Sequence, residues 1–143
     1  VPNRLTFVVF GLPAAQGSKR HVGRGILVES SKAVAPWRVD CKHAALACLP
    51  HDWSTAGPMA IEALFRFKRP ASHLGKRGGL RPSAPQALVS AKAGDLDKLL
   101  RSTFDALTGV VFDDDRQVVT VSASKRYCLP DEPQGALITI TPL

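Results

Sequence analysis

A β-rich apolar run from Leu5 to Phe10 closes at Gly11-Leu12-Pro13, the pattern of a first strand ending in a turn. Ala14 to Arg24 is polar and basic, holds Gln16-Gly17-Ser18-Lys19-Arg20-His21, and meets no acid before Glu29. It reads as a loop facing something negative, followed by a short strand at Ile26 to Val28. Trp37, Cys41, Ala44, Ala45 and Cys48 then recur at helical spacing. With Pro36 suited to a first turn and Pro50 as a stop, they predict a helix from Trp37 to Leu49. Met59 to Phe67 alternates weakly, is rich in strand formers and ends at Lys68-Arg69-Pro70, so it is the next strand.

The clearest periodicity lies further on. At about 100° per residue, Leu96, Leu99, Leu100, Thr103 and Leu107 fall on one face of a helix running from Asp95 to Leu107. Asp97, Lys98, Arg101 and Asp105 fall on the other face, and Gly109 ends the helix. Two strands follow, Gln117 to Ser124 with Val119, Val121 and Ala123 on one side, and Ala136 to Thr141. The pattern implies an α+β fold in which a mixed sheet and two helices form two layers, in the order β-α-β-α-β-β. Residues 1–143 are expected to form one domain, with no internal repeat. Between the second strand and the second helix, residues 68–94 hold Lys68, Arg69, Lys76, Arg77, Arg81 and Lys92 and no acid. This stretch is too rich in Gly, Pro, Ser and Ala to build a core, and loops longer than about 15 residues are uncommon in compact domains unless functional or disordered.

Charge changes this picture because it is unevenly placed. Residues 1–94 carry fourteen Lys or Arg against four acids, whereas residues 95–143 carry five against eight, within a net charge of +7. A largely basic chain with its acids gathered in one stretch suits a protein that holds a polyanion broadly and a cation at one point. Lys19, Arg20, Lys76, Arg77, Arg81 and Lys125 are the candidate DNA-binding residues. Cys41, Cys48 and Cys128 make an odd count without a CxxC pair, so neither a disulfide framework nor a zinc ribbon is indicated. The opening apolar run is too short for a signal segment or a membrane span, and the expected location is cytoplasmic.

Asp95 and Asp97 open the second helix, and Asp113-Asp114-Asp115 stands just before a strand. Phosphodiester hydrolysis needs carboxylates at such accessible element ends. Mg²⁺ takes one or two of them and completes its octahedron with water and phosphate oxygens. Strand alternation gives Asp115 the parity of Gln117, Val119, Val121 and Ala123, which would aim it at the helix-covered face. The metal site is then expected where the second helix begins and the third strand starts. Lys125 shares that parity but stands about 30 Å from Asp115 on an unbroken strand. The competing explanation is that Asp95 caps the helix and the Asp run is a solvated turn.

These residues carry a family resemblance. Gly94-Asp95-Leu96-Asp97-Lys98-Leu99-Leu100-Arg101, then Phe104-Asp105-Ala106-Leu107-Thr108-Gly109, Asp114-Asp115-Arg116-Gln117-Val118-Val119 and Lys125 together resemble the signature of RusA-type Holliday-junction resolvases. The opening Phe10-Gly11-Leu12-Pro13 with Gln16-Gly17-Ser18-Lys19-Arg20 is similar to the start of phage-like members. The resemblance implies a homodimeric endonuclease dependent on Mg²⁺, with Mn²⁺ able to substitute, that binds four-way junctions and nicks two strands symmetrically. It places Asp95, Asp97 and Asp115 on the essential, metal-binding carboxylates. Arg101 stands where a catalytic Lys is usual, and Lys98 where Asn is common. Asp105, on the exposed helix face nearly three turns from Asp95, is expected to be dispensable.

Other readings of the chain are a catalytically silent protein that binds branched DNA and a nuclease acting on flaps or forks. Gly11 to Lys19 fails as a phosphate-binding P-loop because its spacing is wrong and Ser precedes Lys. Cys41, His43, Cys48 and His51 do not converge as zinc ligands, since His43 lies about 200° around the helix from Cys41.

Overall fold

A computed structural model describes residues 4–17 and 32–143, together with the backbone of Lys19–His21 and Leu27–Glu29. The first strand, β1, spans Leu5–Phe10 and alternates buried Leu5, Phe7 and Val9 with exposed neighbours. A short antiparallel pair follows, β2 (Lys19–His21) with β3 (Leu27–Glu29). The loop expected over 14–24 therefore contains a strand, while Ile26 lies outside the described residues. Lys19 and Arg20 are placed on β2 by backbone only.

Helix α1 spans Val34–Cys48 and turns Val34, Trp37, Cys41 and Ala45 inward at i, i+3, i+7 and i+11. Strand β4 covers Met59–Phe67 and helix α2 covers Leu96–Leu107. β5 (Val118–Tyr127) and β6 (Gly135–Pro142) complete a four-stranded sheet in the order β1-β6-β4-β5. β6 runs antiparallel to both β1 and β4, whereas β4 and β5 are parallel. Parallel neighbours need a crossover, and α2 supplies it. The α+β class, the mixed sheet and the two helices agree with the periodicities in the chain.

The helices cover one face of the sheet. Trp37, fully buried, packs against Phe65 with ring centroids 6.4 Å apart and donates its indole N–H to Thr103 Oγ1 at 3.2 Å. One side chain thus joins α1, α2 and β4, and truncating such an aromatic typically costs about 3–5 kcal/mol. Gly135 allows the closest strand contact. A Cβ there would meet the Val9 carbonyl oxygen at 1.7 Å, so only glycine permits the β1–β6 pairing at this point.

Three details depart from the sequence pattern. Residues 68–94 do reach the core, because Leu88 and Ala93 are buried in it. After α2, Val110, Val111 and Phe112 turn back into the core, with Trp53 donating to the Val111 carbonyl at 2.8 Å. On β5, Val121 and Ala123 pair with Ile61 and Ala63 and share their core-side face, yet Val119 and Val121 stay 62% and 43% exposed. β5 is an edge strand, and α2 touches it at only a few places.

Candidate active site

Gly94 introduces the acidic start of α2. Its φ of +81° is a left-handed conformation, and a Cβ there would lie 2.5 Å from that of Ala15, so the position requires glycine twice over. Asp95 then occupies the N-cap position in extended conformation, but its side chain makes no capping hydrogen bond. Instead an Asp95 oxygen lies 3.3 Å from Lys98 Nζ. Capping therefore does not account for this carboxylate. Asp97 follows in the first turn, exposed. Lys125 Nζ donates to the Gly94 carbonyl at 2.7 Å, which fixes the Phe67–Tyr127 end of the β4–β5 pair beside these two acids.

Asp115 stands elsewhere. It begins a short 3-10 turn, Asp115–Gln117, and is not part of β5, so strand parity does not aim its side chain. Asp114 caps the turn by accepting from the Arg116 amide at 2.9 Å. Gln117 holds the whole segment: its Oε1 accepts from the amides of Asp113 and Asp114, both at 2.9 Å, and its Nε2 donates to the carbonyls of Thr55 and Gly57, both at 2.8 Å. Asp115 itself remains exposed.

The turn lies beyond the C-terminal end of α2, at the Val118 end of β5. Asp95 lies at the opposite end of both elements. A twelve-residue helix spans about 18 Å at 1.5 Å per residue, and Val118 to Lys125 spans about 20 Å along the strand. One chain does not bring Asp95, Asp97 and Asp115 together where a helix begins and a strand starts. Among the described residues no group of three or more Asp, Glu, His or Cys side chains is placed to hold a metal ion.

Arg101 is exposed on the Asp97 side of α2 and forms no ion pair with Asp97. Asp105 is not the free surface acid that its helix face suggested. It accepts from Gln16 Nε2 at 2.9 Å and from Arg38 at 3.2 Å, and Arg38 also donates to Gln16. Gln16 is 8% exposed, so this trio ties the segment leading to β2 against both helices. The structural roles of Gln16 and Gln117 are not legible in the sequence, because an amide side chain gives no periodic or charge signal.

Lys76 and Arg77 sit in a turn closed by Gly75 and Gly79, whose backbones bond at 2.7 Å, and both are exposed. Arg81 is held by donating Nε to the Leu74 carbonyl at 2.7 Å. Cys41 is buried beside Thr103, where burial pushes its thiol pKa well up, while Cys48 is exposed. Among the described residues no helix is long and apolar enough to cross a membrane.

A mixed sheet layered with two helices, exposed carboxylates at the start of α2 and an exposed basic turn at Lys76 and Arg77 define a two-layer α+β protein. The family is more specific: the model of the RusA endodeoxyribonucleases matches residues 11–141, nearly the whole chain. The chain belongs to this family, whose activity is that of an endonuclease acting on Holliday junctions. Among curated proteins none matches it by sequence.

Proposed function

We propose that this protein is a Mg²⁺-dependent resolvase that works as a two-fold homodimer and nicks two opposed strands of a four-way junction. The observation that carries the dimer is the separation of its acids. Asp95 and Asp97 occupy one end of α2 and Asp115 the other, so three carboxylates around one ion require a second copy. The free edge of β5 supplies the geometry. Antiparallel pairing of two β5 edges across a two-fold axis sets the Lys125 end of one chain against the Val118 end of the other. That carries Asp115 of the partner subunit toward Asp95 and Asp97, twice per dimer. It also covers Val119 and Val121, which one chain leaves exposed on an unprotected edge.

Two exposed carboxylates at a helix start, joined by a third from the second copy, would suit Mg²⁺, and Mn²⁺ would fit the same oxygen ligands. When bound there, the ion supplies an activated water and offsets charge on the phosphorane. The chain's own groups do the rest. Asp95, Asp97 and Asp115 would hold the cation, Lys98 would compete with it for Asp95, and Arg101 would offer a cationic fork to the scissile phosphate. Lys19, Arg20, Lys76, Arg77 and Arg81 would grip the flanking phosphates. A cytoplasmic location belongs with this reading, as does one domain over residues 1–143.

The test uses a labelled four-way junction, a replication fork, a flap and a linear duplex, each incubated with the protein and Mg²⁺. Paired nicks at symmetric positions, confined to the four-way junction, support the proposal. Comparable cutting of flap or fork overturns it in favour of a general branch nuclease, and junction binding without cutting overturns it in favour of a silent binding protein.

A further inference from the structure

Beyond the acids, β4 and β5 end at a cavity of about 710 Å³ between the 68–94 segment and the β5–β6 connection. Such a volume is typical of small-ligand sites. Leu74 and Leu80 form one wall, at the base of the turn that carries Lys76 and Arg77, and Leu129 and Pro133 line the other side. The floor is rigid. Arg69 lies over the Tyr127 ring at 4.4 Å, His73 meets the same ring edge-on at 5.2 Å, and Arg69 also donates to the Pro85 carbonyl at 2.8 Å. Leu80 and Leu129 are 49% and 61% exposed, so the apolar surface is open to solvent.

The polar groups are few and convergent. Gln134 accepts from the Lys68 amide at 2.9 Å through its oxygen, which leaves its –NH2 as a donor, and Gln86 also lines the cavity. Two acids line it as well. Glu132 is already engaged by Arg126 at 2.6 and 2.9 Å and by Arg66 at 3.4 Å, and Asp131 sits on the connection between β5 and β6. The cationic side is therefore the 68–81 segment: Lys68 and Arg69 line the cavity, and Lys76, Arg77 and Arg81 stand beside its lining residues Leu74, Gly78, Gly79 and Leu80 in the chain.

We propose that this cavity receives one unstacked nucleobase of the bound DNA, held between Leu80 and Leu129 while its phosphates lie on the basic 68–81 side. Apolar walls that accept a flat ring, a few amide groups for its edge and a cationic rim match a nucleotide better than a purely apolar or purely anionic ligand. The place fits too. Tyr127 is two residues beyond Lys125, about 7 Å along β5, and Lys125 is bonded to the residue before Asp95. A base captured there would fix the strand that enters the acidic site and give the cut a dependence on sequence. This inference rests on the proposed action on branched DNA and adds a base-reading site to it.

The experiment fills the cavity and removes the base in turn. Leu80→Trp, at a half-exposed position, is compared with the wild-type chain for binding to four-way junctions in EDTA. The junctions are either intact or carry a two-fold-related pair of abasic nucleotides, moved together through successive positions around the crossover. Circular dichroism and thermal melting check that the variant is folded, and Leu129→Trp serves as a second filling variant. The expected result is about a tenfold loss of affinity for the intact junction, with no difference between variant and wild type on the junction lacking both captured bases, one per subunit. Equal affinity of filled and wild-type proteins for the intact junction overturns the inference. So does a loss that is the same on every abasic junction, which would mean that the loop only positions phosphates. Wild-type protein that fails to bind any four-way junction overturns the proposed function itself, a result separable from the other two.

Discussion

Lys125 Nζ donates to the Gly94 carbonyl oxygen at 2.7 Å, and this single bond pins an edge strand to the residue before the first acid of α2. The contact makes Lys125 a tether. Lys125→Ala is expected to destabilise the free protein by about 1–2 kcal/mol in urea unfolding, since the Gly94 carbonyl loses its charged donor. The salt dependence of junction binding should stay unchanged. A fall of about one in the salt slope with unaltered stability would instead mark it as a phosphate contact.

Lys98 and Asp95 form a half-exposed i, i+3 pair at 3.3 Å, where solvent weakens the attraction. Lys98→Asn should change stability by less than about 0.5 kcal/mol. It should lower the Mg²⁺ concentration for half-maximal cleavage several-fold, because the ammonium no longer competes for the carboxylate. A Mg²⁺ titration of single-turnover cleavage checks this.

If each site draws on two chains, inactive variants complement. Asp95→Asn and Asp115→Asn should each abolish cleavage alone. Mixed and allowed to exchange subunits, they form dimers with one site doubly altered and one intact, so junctions should be nicked on one strand without being resolved. A nicked-junction assay on denaturing gels reads this directly. No recovery on mixing would place all three acids in one chain.

Gln117 makes four hydrogen bonds to backbone groups and fixes the turn that presents Asp115. Gln117→Ala leaves those groups to water or without partners and should cost about 1–3 kcal/mol. Its cleavage rate at saturating protein should fall even at temperatures where it remains folded. Asp105→Asn, which weakens the Gln16–Arg38 trio, should instead reduce stability more than the rate of the folded fraction.

Glu132 titrates far below its usual value of 4.5, at about 2, chiefly because Arg126 donates two hydrogen bonds to it. Its folded pKa is depressed, so its contribution to stability is complete above about 4.5 and is lost as the pH falls toward 2. Glu132→Gln should lower stability near neutral pH and flatten its fall across that acid window. Denaturant unfolding at a series of pH values gives the comparison.

Most elements were legible in the chain alone, though the strand β2 inside the basic 14–24 segment was not. Leu5–Phe10 and Met59–Phe67 are strands with the bounds that their composition and turn residues give, and α2 buries Leu99, Thr103 and Leu107 as the 3.6-residue period requires. These are local properties, fixed by side-chain period and by Gly and Pro at the ends. Tertiary structure decided which ends meet. Because α2 returns the chain between the parallel strands β4 and β5, the start of the helix and the start of β5 lie at opposite ends of the same unit. Asp95 and Asp115 share a charge pattern in the sequence but not a place in one chain. The same holds for Asp105, which helix periodicity assigns to solvent. Only the packing of α1 and the 11–17 segment, distant in sequence, gives it Arg38 and Gln16 as partners. Leu88 and Ala93, embedded in a basic Gly- and Pro-rich stretch, show the same limit: burial follows from what folds over a residue, and composition averages it away.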